Sequence, residues 1–126
     1  MIAAKSETWN ESTMIYLASP YSHEEPRVVE DRVEAVRRCV LSLLRRGDIV
    51  FSPIAYSHQF AASMGGDWDS WSKFDRALID AARELWVLML PGWSVSVGVK
   101  AEVDYAVQTG KPVRYLTEEL EMSFPC

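Results

Sequence analysis

Residues 84–117, ELWVLMLPGWSVSVGVKAEVDYAVQTGKPVRYLT, read as a strand, a helix and a second strand in succession. ELWVLMLP (84–91) is almost wholly apolar, as a strand covered on both faces must be. Pro91 and Gly92 break it. SVGVKAEVDYAVQTG (96–110) reads as a helix closed by Gly110, and KPVRYLT (111–117) as the next strand. Two strands joined by a helix lie parallel, with a right-handed crossover.

The rest of the chain repeats this alternation. MIYLAS (14–19) is a short strand stopped by Pro20. In EEPRVVEDRVEAVRRCVLSLLRRG, residues Val29, Val33, Val36, Val40, Leu43 and Leu44 recur at three- and four-residue steps, which predicts an amphipathic helix. Glu24 and Glu25 precede it, Arg45 and Arg46 end it and Gly47 caps it, all in keeping with the helix dipole. DIVFSP (48–53) gives the second strand, stopped by Pro53. IAYSHQFAASMGGDW is less regular and reads as a helical turn before a Gly65-Gly66 loop. DSWSKFDRALIDAARE (69–84) is a helix with Asp69 or Ser70 as N-cap and Trp71, Phe74, Leu78 and Ala82 or Ile79 inside. The tail EELEMSFPC adds a last turn. The pattern predicts a three-layer α/β/α domain with a flavodoxin-like parallel sheet over residues 14–126, preceded by a flexible arm at 1–13.

Composition narrows the function. With 13 basic and 18 acidic residues the net charge is −5, which argues against general binding to a nucleic-acid backbone. One nucleotide needs only a few local donors and stays open. The two cysteines, Cys39 and Cys126, show no zinc spacing and predict no structural disulfide. The start has no apolar stretch of signal-peptide length, and LWVLML is far too short to span a bilayer. A cytoplasmic protein without membrane contact is expected. P-loop, dinucleotide and α/β-hydrolase motifs do not occur.

In parallel α/β sheets, ligands bind beyond the carboxyl ends of the strands. ASPYSHEE, FSPIAYSH and LPGWSVSVG all begin there and should converge on one rim. A helix starting near Ser96 would turn its free N–H groups toward an anion, with the hydroxyls of Ser94 and Ser96 alongside. Helical side chains lean toward the N-terminus, so Glu102 would lie over Gly98, which has no side chain. Alternatively, Ser96 is a plain N-cap, Gly98 a packing residue and Glu102 a solvent-facing charge. Asp75 could bring a second carboxylate to the rim, or be an ordinary surface acid; Asp69 better suits capping. Two carboxylates can divide nucleophile and acid roles in glycoside cleavage. Tyr16 is either a core tyrosine or the hydroxyl that orients a carboxylate. Trp68, Trp71, Trp93, Tyr21 and Tyr56 offer aromatic surface on which a base could stack. His23 and His58 have no partners at metal-ligand spacing and read as polar loop contacts.

IYLASPYS, the D-x3-I helix at Asp75 and LPGW-S-x-S-x-G-V-x3-E-x3-A-x3-GKPV together resemble the nucleoside 2-deoxyribosyltransferase-like superfamily, and more closely its DUF1937 family. The resemblance covers nearly the whole chain after residue 13. It implies cleavage or transfer of the N-glycosidic bond of a (deoxy)nucleoside or its 5′-monophosphate. It places the nucleophile on Glu102, the acid on Asp75 and the orienting tyrosine on Tyr16, with phosphate at Ser96. Ser19, Ser94, Gly98, Trp93, Tyr21 and His58 complete the expected binding set. No metal or organic cofactor is expected, and the resemblance implies a homodimer or larger homo-oligomer. The alternatives are a nucleotide-binding module without catalysis and a structural oligomer with a merely polar rim.

Overall fold

The computed structural model describes residues 13–64 and 68–123, with 68–70 and 123 as backbone only. Residues 1–12, the Gly65-Gly66 loop, the Trp68 ring, the Asp69 and Ser70 side chains and Cys126 lie outside that description. Five strands form one open sheet: β1 (Ile15–Ala18), β2 (Val50–Phe51), β3 (Glu84–Leu88), β4 (Val113–Leu116) and β5 (Met122–Ser123). Their order is β2-β1-β3-β4-β5. The first four are parallel, with Tyr16 beside Leu85 and Val87 beside Tyr115.

Every residue of β1 and β3 is buried, which is why both read as apolar runs. Side chains alternate between faces. Ile15, Leu17, Trp86, Leu88 and Leu116 meet Val36, Cys39 and Leu43 of α1 (Pro26–Arg45). Tyr16, Ala18, Leu85 and Val87 meet Ile79 of α4 (Trp68–Ala81) and Val99 and Ala106 of α5 (Val97–Gln108). Helices thus cover both faces, as three layers require. Leu44, placed inside by its spacing, is 51 % exposed on the far side of the last turn. The α5 helix ends at Gly110, whose φ of 80° suits a residue without Cβ.

Three segments depart from expectation. Residues 53–64 are more helical: α2 (Pro53–Ser57), a 3-10 turn (His58–Phe60) and α3 (Ala61–Met64). The cause is Ser52-Pro53. The Ser52 hydroxyl accepts from the Ala55 N–H at 3.0 Å and Pro53 occupies the first turn, so the pair starts a helix rather than only ending a strand. The α4 helix begins at Trp68, so Asp69 and Ser70 lie within its first turn instead of capping it. The tail makes its turn at residues 118–120, where the Leu120 N–H donates to the Thr117 carbonyl at 2.9 Å, and then adds a strand that was not expected: β5 pairs antiparallel with β4, Leu116 opposite Met122. The link is tight: the Thr117 N–H donates to the Glu121 carbonyl at 2.8 Å, and Leu120 takes a φ of 66°. That conformation costs a non-glycine residue about 1 kcal/mol. Leu120 packs against the α1-side core, which offsets the cost.

Candidate active site

Tyr16, Asp75 and Glu102 come from β1, α4 and α5 and meet on one side of the sheet. Tyr16 is fully buried, facing α4 and α5 because even-numbered positions of β1 point that way. Its hydroxyl donates to Glu102 Oε2. Asp75, half-buried on α4, stands beside this pair, close enough to influence the titration of both. Glu102 is only 9 % exposed, so it is no solvent-facing charge.

Burial dominates the electrostatics. It raises the Glu102 carboxyl well above its ordinary range, and the nearby Asp75 raises it further, while the Tyr16 hydrogen bond pulls it down. Burial also raises Asp75, to about 6, against hydrogen bonds from Glu102 and Tyr16 that lower it. Tyr16 is pushed well above 10 by burial and by both carboxylates, so its hydroxyl keeps its proton and acts as donor. Both shifts favour a proton on the pair, whose titration belongs to the two acids together. Desolvation, the largest of these influences, disfavours the ionised form of Glu102 in the free protein. A cleft between α4 and α5 reaches the pair past Ser72, Arg76 and Tyr105. Its free volume of about 10 Å³ is near the room one water needs. At its mouth the Arg76 guanidinium lies 5.5 Å from the Tyr105 ring centre, and the Tyr105 hydroxyl donates to Asp80 at 2.7 Å.

The other expected residues form the rim. Ser96 caps α5: its hydroxyl accepts from the Val99 N–H at 3.2 Å. Ser94 is exposed in the 3-10 turn Trp93–Val95, and Gly98 is half-buried in α5's first turn. Trp93 packs against Tyr115, ring centres 5.5 Å apart, and so serves the core side of its loop. The Ser19 hydroxyl is buried and has no hydrogen-bond partner among the described residues. Tyr21 and His58 bond to each other at 2.8 Å, while His23 accepts from the Glu25 N–H. Tyr56 and Trp71 belong to an aromatic cluster around Phe74, Tyr56 stacked on it and Trp71 edge-on.

Sequence reasoning missed what ties the rim together. Arg32 of α1 donates to the Ser22 carbonyl at 2.8 Å and to the Pro91 carbonyl at 3.2 Å. It thereby joins the loop after β1 to the loop after β3. Glu30 of α1 bonds His58 at 2.9 Å and so attaches the segment after β2. Lys111 donates to the Asp80 and Ala82 carbonyls, closing the C-terminal end of α4. Nothing in the helical spacing of Glu30 and Arg32 marks them, since their partners lie far along the chain.

The family described as a domain of unknown function, DUF1937, matches residues 13–118, and the chain belongs to it. No curated protein matches the chain.

Proposed function

We propose that this protein breaks the N-glycosidic bond of a (deoxy)nucleoside or its 5′-monophosphate, passing the sugar to water or to another base. The observation that carries the reading is the meeting of buried Tyr16 and Glu102, hydrogen-bonded to each other, with the half-buried Asp75 beside them. The motif resemblance of the LPGW…GKPV block supports it.

The chemistry needs one ionised carboxylate and one proton, and the pair holds both. In the free protein burial raises both carboxyls and favours a proton on the pair. With that proton on Asp75, Glu102 is ionised and Asp75 is the acid. Glu102 then attacks C1′. The C1′–N bond breaks, its electron pair goes to the base nitrogen, and the Asp75 proton neutralises the departing base. Tyr16 keeps donating to Glu102, which stabilises the carboxylate before attack and orients it. Water or an acceptor base, deprotonated by Asp75, releases the sugar. No step calls on a metal or cofactor. Under this reading the partner is a small nucleoside or nucleotide rather than a nucleic-acid polymer, met in the cytoplasm by a homo-oligomer.

A second reading, nucleotide binding without catalysis, is favoured by the burial that disfavours an ionised Glu102 and by the small cleft. Incubation with ribo- and deoxynucleosides and their 5′-monophosphates, followed by chromatography for free base, separates the two. Base release that Glu102→Gln abolishes supports the glycosidase. Ligand-raised melting temperatures with no base release from any substrate support the binding module.

A further inference from the structure

Ala35, Arg38, Cys39 and Ser42 recur at three- and four-residue steps and so share one stripe of α1. That stripe lines a cavity with a free volume of about 220 Å³. Leu88, at the end of β3, and Glu118 and Leu120, in the turn between β4 and β5, line it from the other sides. The cavity lies on the α1 face of the sheet, opposite the face that carries Tyr16, and is far roomier than the cleft at Glu102. At about 30 Å³ per water it has room for about seven waters, and so for a molecule of roughly that many heavy atoms.

Its polar groups are free for a ligand. Among the described residues the Arg38 guanidinium, the Glu118 carboxylate, the Ser42 hydroxyl and the Cys39 thiol have no hydrogen-bond or ion-pair partner. Neighbouring charges on α1 are already paired, Arg37 with Glu34 and Arg46 with Asp48. Arg38 and Glu118 thus border one cavity with opposite charges and no ion pair between them. The turn that carries Glu118 is braced: Thr117 Oγ1 accepts from the Glu121 N–H at 3.0 Å, and the Thr117 N–H donates to the Glu121 carbonyl. Its Leu120 keeps the costly φ of 66° with the side chain at the cavity wall. Burial pushes the Cys39 thiol up to about 11, so it is a neutral wall group rather than a nucleophile.

We infer that this cavity is a second binding site, for a small zwitterion of the α-amino acid class: Arg38 takes its carboxylate, Glu118 its ammonium group, and Ala35, Leu88 and Leu120 its short aliphatic part. A ligand with one charge alone would leave the other protein charge unmatched and bring a like charge close to it, which disfavours it. Nothing in this site depends on whether Glu102 attacks a sugar.

Titration calorimetry with three probes tests it. L-valine carries both charges, isovalerate only the carboxylate and isobutylamine only the ammonium group. The parent protein is expected to bind L-valine, and each single-charge probe about tenfold more weakly, the worth of one charge-assisted hydrogen bond. Arg38→Gln should weaken L-valine about tenfold and isobutylamine not at all; Glu118→Gln should weaken L-valine about tenfold and isovalerate not at all. Both residues are exposed, so these variants keep the fold. Ala35→Leu fills part of the cavity without touching a charge and should weaken all three probes. No L-valine binding at millimolar concentration, equal affinity for the three probes, or L-valine binding that neither charge variant weakens would overturn the inference. No nucleoside enters these titrations, so their outcome is separable from that of the glycosidase reading.

Discussion

Glu102 lies on the buried face of α5 with Tyr16 donating to one oxygen and Asp75 of α4 beside it. Both carboxyls titrate higher in the fold than in an unfolded chain, where Asp75 would sit at 3.8 and Glu102 at 4.5. The folded protein therefore holds protons that the unfolded chain gives up. Their stabilising contribution is complete below the unfolded values and is lost as pH rises, through about 6 for Asp75 and higher for Glu102. Glu102→Gln keeps an oxygen for Tyr16 and an N–H for Asp75 but removes the charge to be buried. Its melting temperature should exceed the parent's at neutral and alkaline pH, and the gain should shrink toward pH 4, as calorimetry across that range would show. A variant less stable than the parent at every pH would mean the carboxyl is not buried as described. Glu102 and Asp75 were legible as candidates because of where they fall on their helices. Their shared proton was not, since it depends on burial that only packing creates.

At the scale of elements, β3 and β4 are joined by more than their ladder. Glu84, buried at the start of β3, accepts from the Trp86 indole at 2.6 Å and from Arg114 of β4 at 2.9 Å. Burial alone would raise its carboxyl, yet these hydrogen bonds and the charges of Arg114 and Arg83 hold it below its ordinary value. Its contribution is thus present above the unfolded value and lost as pH falls. Glu84→Gln should cost about 1 kcal/mol at pH 7 in denaturant titration, and the deficit should close in acid. Gly92 shows how a loop is held. It has a φ of 90°, and an added Cβ would stand 2.7 Å from Arg32 Nη2. Gly92→Ala should lose about 1 kcal/mol to backbone strain and more as Arg32 leaves Pro91. Gly110→Ala, at φ 80° with no neighbour within 4 Å, should lose the strain part alone. Equal losses at the two sites would argue against the Arg32 strap. Elements were readable where period and break agree, as in residues 84–117. Ser52-Pro53 was ambiguous because the same pair can stop a strand and start a helix. EELEMS hid a strand because its turn uses Leu120 where a glycine would be expected.

For the whole molecule, strand alternation was enough to place three loops on one rim. The fold brings them together through α1, whose Glu30 and Arg32 reach all three. The candidate centre lies beside this rim and draws one residue from each of three elements. A centre that works only with one shared proton should give a bell-shaped pH profile for kcat/KM. The acid limb falls as the pair gains a second proton, and the alkaline limb falls as it loses the first. A profile flat through neutrality would point away from the pair. The most direct test is acid quenching during turnover, followed by tryptic digestion and mass spectrometry. Residues 101–114, AEVDYAVQTGKPVR, form a single tryptic peptide that contains Glu102, since trypsin does not cut the Lys111–Pro112 bond. The account predicts that this peptide gains the mass of the substrate's glycosyl group on Glu102. Base release with the peptide unmodified, and undiminished in Glu102→Gln, would contradict it.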